Sequence, residues 1–393
     1  MTPRTNVARA RTAGEGQPAI RRMAIVDSTL REGEQFAGAH FSTAEKLEII
    51  AALDDFGVEY IEMTSPAASP QSDADLRAAV AAKPRARVLT HTRCRIEDVD
   101  QALAAGVDGV NVLFATSDVL RRASHRRSLD EVVDIACRVI AHVRAAGREI
   151  RFSCEDAFRS DREELLAVYR AVDACGPDRV GIADTVGVAT PRDVEELVGA
   201  VRGVVTSDIE FHGHNDTGCA VANAFSALQA GATHIDVTVL GIGERNGISP
   251  LSSLIARVGT VAPQLIDRYR LELLPEIDTR LAEMLGVTVP FTAPITGASA
   301  FTHKAGMHSN AVLRNPRSYE VLTPERFGRD RQILHAHRLV GRNAIRARAQ
   351  TLGVALDDEQ LNAVTTEIKR RADAAPIDEG LVDELLGGWA TPA

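Results

Sequence analysis

From Met23 to about Ala262 the chain alternates short apolar runs with longer amphipathic stretches. The short runs are rich in β-branched residues and predict strands at 24–28, 60–64, 87–91, 109–114, 149–154, 179–184, 209–214 and 234–240. Between them, apolar positions recur at helical spacing over 43–56, 129–146, 162–174, 191–201 and 219–230. Thr190 is placed as an N-cap, with Pro191 at the first helical position. Repeated strand–helix units imply a parallel sheet. Eight of them over about 240 residues match an α/β fold of the (β/α)8 TIM-barrel type. A doubly wound open sheet is the rival. No Gly-x-Gly-x-x-Gly follows the first strand, which weakens its dinucleotide-binding form.

A barrel makes a prediction of its own, because active-site residues gather at the C-terminal ends of its strands. Those ends carry Asp27 and Arg31, Glu62 and Thr64, His91, Asn111, Arg151 with Ser153 and Glu155, Thr185, and His212 with His214. Such groups would be costly in an apolar barrel centre. Arg151, Ser153 and Glu155 are spaced i, i+2, i+4 and share one face of their strand. His212 and His214 also share a face and can grip one cation. A carboxylate from the segment Leu30-Arg31-Glu32-Gly33-Glu34-Gln35 would complete a two-histidine, one-carboxylate site with positions open to a substrate.

After Ala262 the rhythm breaks. Residues 267–287 read as helical, 290–300 as an irregular linker, and 342–389 as helical again. Three regions are therefore expected: a disordered extension over 1–22, a catalytic barrel over 23–262, and a linker, lid segment and smaller helical domain over 263–393. His335 and His337 have metal-like spacing, but no partner carboxylate is evident and a solvated surface is expected for them.

Composition narrows the function. A net charge of −9 disfavours general binding to nucleic acid or anionic membranes, while leaving room for a local cationic pocket. No apolar run is long enough to span a membrane. The five cysteines (Cys94, Cys137, Cys154, Cys175 and Cys219) are scattered without a Cys-x-x-Cys pair, which suits free thiols in a reducing cytoplasm. The arginines of the first 22 residues lack the apolar core of a secretory signal.

The motifs Leu30-Arg31-Glu32-Gly33-x-Gln35 with Lys46, and Ile209-x-x-His212-x-His214-Asn215-Asp216-x-Gly218, resemble those of the acetyl-CoA-dependent condensing enzymes of the DRE-TIM metallolyase superfamily. Glu32, Phe36, Thr64-Ser65-Pro66, Phe152-Ser153-Cys154-Glu155-Asp156 and Gly243-Glu244-Arg245-Asn246-Gly247 resemble its homocitrate synthase branch in particular. The resemblance implies a divalent metal (Mg, Mn or Zn) on Glu32, His212 and His214, with acetyl-CoA and a 2-oxo acid as substrates. It gives Arg31, Glu155, His308 and Tyr319 catalytic roles and gives Arg31, Gln35, His91, Arg151, Ser153 and Thr185 to the oxo acid. It also implies a homodimer.

One position departs from that pattern. Asn111 stands where homocitrate synthases carry an aspartate that reads the far carboxylate of 2-oxoglutarate. A neutral amide there, beside the cationic run 121–127, also suits a more highly charged group. The expected oxo acid is 2-oxoglutarate, with 3-phosphonopyruvate as the alternative. A CoA-independent carbon–carbon lyase on the same barrel is the alternative from another class; the lid-like segment 303–319 argues against it.

Overall fold

The computed structural model describes residues 20–389. Eight parallel strands close into a barrel in sequential order. They are β1 (Ala24–Asp27), β2 (Tyr60–Met63), β3 (Arg87–Arg93), β4 (Gly109–Ala115), β5 (Glu149–Glu155), β6 (Arg179–Asp184), β7 (Asp208–Gly213) and β8 (His234–Val237). Closure is direct: β8 pairs with β1 from Ala24 opposite His234 to Asp27 opposite Val237.

The helices of this unit are α1 (Thr43–Phe56), α2 (Pro70–Ala82), α3 (Ile96–Ala105), α4 (Asp118–Ser124), α5 (Leu129–Ala145), α6 (Arg162–Asp173), α7 (Pro191–Arg202), α8 (Ala220–Ala230), α9 (Leu251–Gly259) and α10 (Leu274–Leu285). Several starts are fixed by side chains. Ser42, Ser128 and Thr190 each close a capping box with the acid three residues on, and Pro191 follows its cap as expected. The eighth strand stops three residues early. A 3₁₀ turn at Val239–Gly241 takes over, with Leu240 at φ 58° and Gly241 at φ 72°.

The barrel centre differs from expectation. It is lined not by apolar layers but by Glu62, Arg151, Glu210 and Asp236, all buried, with Arg179 and His234 below them. Arg151 bonds Glu210 and lies 3.7 Å from Glu62 and 3.6 Å from Asp236, while Arg179 donates to Glu210 at 3.0 Å. These are the residues that period-2 alternation turns inward. The opposite faces carry Ile61, Val110, Ile150, Phe152, Val180, Ile182, Ile209, Phe211 and Ile235, which form the apolar layer between barrel and helices.

The cysteine expectation needs correction. Cys137 of α5 and Cys175, just past α6, form a disulfide with their Cα atoms 5.5 Å apart; Cys94, Cys154 and Cys219 are free. Among the described residues no helix is long and apolar enough to cross a membrane. The expected extension over 1–22 lies almost wholly outside the described residues.

The chain divides into two compact units after Val289. The division falls beyond Ala262 because α10 buries Leu274, Ile277 and Leu281 within the first unit. The second unit carries a two-stranded pair, β9 (Thr302–His303) and β10 (Gln332–Ile333), and helices α11 (Gly306–Arg314), α12 (Arg342–Thr351), α13 (Asp358–Ala374) and α14 (Glu379–Gly387). Its core is Val340, Ile345, Leu361, Val364, Ile368, Val382 and Leu386. His335 and His337 are buried here rather than solvated. His335 Nδ1 meets Glu379 at 2.9 Å and His337 Nε2 meets the Leu334 carbonyl at 2.9 Å.

Candidate active site

Glu32 lies on the turn after β1, and His212 and His214 lie at the end of β7. Each of the three offers a ligand atom within 4.8 Å of the others. The two imidazole Nε2 atoms face each other at 3.3 Å, and each is 4.0 Å from a Glu32 oxygen. Asp236 lies 2.9 Å from His212 Nδ1, so Nδ1–H donates to the carboxylate and the Nε2 lone pair is left free. Burial, with Arg31 next in weight, depresses the His212 pKa to about 4; burial and then His212 do the same to His214. Both rings are neutral at physiological pH, the form that ligates. Burial opposes ionisation of Glu32, but Arg31, the two histidines and the Glu244 N–H outweigh it and lower the pKa. Two soft-to-borderline nitrogens and one ionised oxygen, converging with no proton to separate the rings, fit a divalent cation.

The loop after β8 supports that arrangement. The Glu244 N–H donates to Glu32 Oε1 at 2.8 Å, and Gly247 O accepts from the Asn215 N–H at 2.9 Å. A Cβ at Gly243 would stand 2.7 Å from Glu32 Oε1, so a side chain there would push the carboxylate out of place. Arg245 clamps Asp216 and also donates to the Thr185 carbonyl at 2.8 Å.

Around the triad sits a ring of polar groups. Arg31 donates to Glu62 at 2.7 Å and to Glu32 at 2.6 Å. Glu62 also accepts from Ser28 and, at 2.6 Å, from the Asn111 amide. Burial works against the Glu62 charge, yet Arg31 and Arg151 hold its pKa well below the ordinary value. Burial and then Arg31 depress His91 to about 3. His91 Nε2, Asn111 Oδ1 and Arg151 Nε are buried without hydrogen-bond partners, which leaves them open to a bound polar group. Ser153 is buried against Gly181, where a Cβ would stand 2.6 Å from its hydroxyl. Thr185 Oγ1 accepts from the Asp156 N–H at 2.8 Å. Burial, and then Asp156, raises Glu155 above its usual pKa. Although Arg151 and Glu155 share a face of β5, they form no ion pair; Arg151 turns to Glu210.

Gln35 is exposed on the 3₁₀ turn Gly33–Gln35. Lys46 of α1 is buried on Glu34 at 2.5 Å and Asp75 at 2.7 Å, so it braces the turn that carries Glu32. In the second unit His308 and Tyr319 are exposed, with ring centroids 4.2 Å apart. Sequence reasoning missed Asp236 and Glu210. The available signal was strand alternation: Glu210 lies two residues before His212, and Asp236 two after His234.

The barrel resembles those of hydroxymethylglutaryl-CoA lyases. The enzyme of Bacillus subtilis aligns with a TM-score of 0.61 at 22% identity, over 68% of this chain and 95% of that one. That of Pseudomonas aeruginosa gives 0.61 at 21%, over 70% and 95%. At such identities the likeness shows the fold alone. Residues 22–277 match the HMGL-like family, which fixes the class as an HMGL-like barrel. Residues 295–376 match the homocitrate synthase post-HMGL domain-like family. The mitochondrial homocitrate synthase of Penicillium rubens is 53% identical over 94% of this chain and 78% of its own length. The mitochondrial and cytosolic enzymes of Saccharomyces cerevisiae are 50% and 51% identical, over 93% and 92% of this chain and 84% and 85% of theirs. The chain belongs to the homocitrate synthase family.

Proposed function

We propose that this protein condenses acetyl-CoA with 2-oxoglutarate to give homocitrate and free CoA. The observation that carries the reading is the convergence of Glu32, His212 and His214 in a chain about half identical to homocitrate synthases. Those relatives favour 2-oxoglutarate over 3-phosphonopyruvate, and condensation over CoA-independent cleavage.

A divalent cation on the triad would supply Lewis acidity toward the keto and C1-carboxylate oxygens of the oxo acid. The remaining work falls to side chains. Arg31, fixed by Glu62 and Glu32, presents positive charge where the keto oxygen becomes anionic. Thr185 holds the C1 end; Gln35 lies at the rim on the same turn as Glu32. His91, Arg151 and Ser153 hold the far carboxylate, His91 Nε2 and Arg151 Nε being nitrogens without a protein partner, and Asn111 lines the same end with its amide N–H given to Glu62. Glu155, whose raised pKa suits proton transfer, works with His308 to take a methyl proton from acetyl-CoA, and Tyr319 assists. The carbanion attacks the keto carbon and water then cleaves the thioester.

We further infer a homodimer in which His308 and Tyr319 serve the partner's barrel. A mixture of inactive His212→Ala and His308→Ala proteins, unfolded and refolded together, then regains activity, whereas isolated sites would stay dead. The direct test of function is CoA release with Mg²⁺ or Mn²⁺, comparing 2-oxoglutarate, 3-phosphonopyruvate and oxaloacetate by kcat/KM. A preference for 2-oxoglutarate is expected, and no CoA release with any of them refutes the reading.

A further inference from the structure

A second cavity, of about 740 Å³, opens in the barrel unit beside the proposed site. Its size is within the range of small-molecule sites, about 300–1,000 Å³. It runs between the ends of β3 and β4 and the helices α4 and α5, and Glu155 forms part of its wall. Because Ala115 of β4 lies in register with Glu155 of β5, the inner end of the cavity meets the catalytic end of the barrel.

Its chemistry is cationic in a protein of net charge −9. Arg93, Arg95, Arg127 and Arg138 line it. Arg93 is neutralised by Asp98 at 2.6 Å, and Arg95 lies 3.6 Å from Glu97. Among the described residues Arg127 and Arg138 have no carboxylate in ion-pair contact; Glu131, the acid that feels Arg127, is hydrogen-bonded to Ser128. Guanidinium groups free of direct ion pairs in one cavity favour an anion, and their planar donor forks suit phosphate. A second observation points to the same kind of ligand. Phe114 and His125 also line the cavity and pack edge to face at 5.1 Å, the His125 ring being anchored 3.0 Å from the Ala115 carbonyl. Fixed aromatic surface in the same cavity as these arginines is what a purine bearing phosphates requires.

We propose that this cavity binds the nucleotide end of acetyl-CoA, with Arg127 and Arg138 on its phosphates and Phe114 and His125 against its adenine. The pantetheine arm then runs inward and delivers the thioester to Glu155. This assignment rests on the condensing activity proposed above. It adds where the co-substrate is held and by which side chains.

The test compares wild type with the double variant Arg127→Ala/Arg138→Ala, both exposed positions whose loss spares the core. Each charge-assisted contact contributes about tenfold in affinity. The KM for acetyl-CoA should therefore rise roughly 10- to 100-fold, with kcat and the KM for 2-oxoglutarate within about twofold of wild type. Adenosine 3′,5′-bisphosphate should compete with acetyl-CoA in wild type and lose that effect in the variant. An unchanged KM for acetyl-CoA, or a rise in the KM for 2-oxoglutarate instead, overturns the assignment. Calorimetric titration with adenosine 3′,5′-bisphosphate reads the site without turnover. Wild type that binds this probe but releases no CoA would leave the site standing and refute the reaction.

Discussion

Asp236 touches no substrate in the proposed arrangement, yet it decides what His212 can do. Its oxygen at 2.9 Å from Nδ1 fixes the tautomer and aims Nε2 at Glu32 and His214. Such supporting carboxylates typically contribute about 10- to 100-fold to metal affinity. Asp236→Asn is expected to weaken divalent-cation binding by that factor in a competition titration against a chromophoric chelator. Glu32→Gln, which removes a ligand charge, should weaken it further and abolish CoA release. Equal affinities for wild type and both variants would remove Glu32, His212 and His214 from the metal assignment. The same logic shows why Asn111 was hard to weigh from sequence. Its amide donates at 2.6 Å to Glu62, a contact an ionised aspartate could not make, so the departure from the family pattern is built into the local network.

At the scale of elements, the loop after β8 does as much for the site as the strands. Gly243 passes so close to Glu32 that a methyl group would displace the carboxylate. Gly243→Ala should therefore lower metal affinity while leaving the helical circular dichroism and the Tm within a few degrees of wild type. A global loss of Tm would instead make the loop a folding element. Strands and their C-terminal residues were legible in the sequence because β-branched runs and period-2 polar positions coincide. The helices α2, α3 and α4 were not. The α2 stretch is rich in alanine and short polar residues, and α4 has only seven residues, none of them buried, so neither displays a strong apolar stripe. The interior network was missed for another reason. Glu210 and Asp236 sit within strands whose other face is apolar, and composition gives no sign that an inward face closes on arginine. The pairing of Cys137 with Cys175 escaped because the two are 38 residues apart on different elements.

The whole molecule inherits a pH dependence from filling its barrel with charge. His234, at the start of β8, is buried near Arg179 with its ring 5.5 Å from that of Tyr60; burial, and then Arg179, holds its pKa at about 3. The unfolded chain titrates this ring near 6.5. The neutral ring therefore stabilises the fold fully above about pH 6.5, and that contribution is lost as pH falls toward 3. His91 acts in the same direction. Buried acids oppose them. Burial raises Asp27 and Glu210 to about 7 and Asp236 to about 6, so their contribution is present at low pH and fades as pH rises through those values. Between roughly pH 4 and 6.5 the two groups offset each other, and the stability of wild type alone cannot separate them. A difference measurement can. Going from pH 7 to pH 5 should cost wild type about 2 kcal/mol more than His234→Gln, because the unfolded wild-type chain gains a proton that the folded one refuses. Urea titrations of both proteins at the two pH values, with the cation in constant excess, give that difference directly. Stabilities that fall in parallel would mean that His234 takes up its proton equally in the folded and unfolded chains, so that the barrel floor accepts the charge; a wild type that gains on the variant would mean the ring is already protonated at neutral pH.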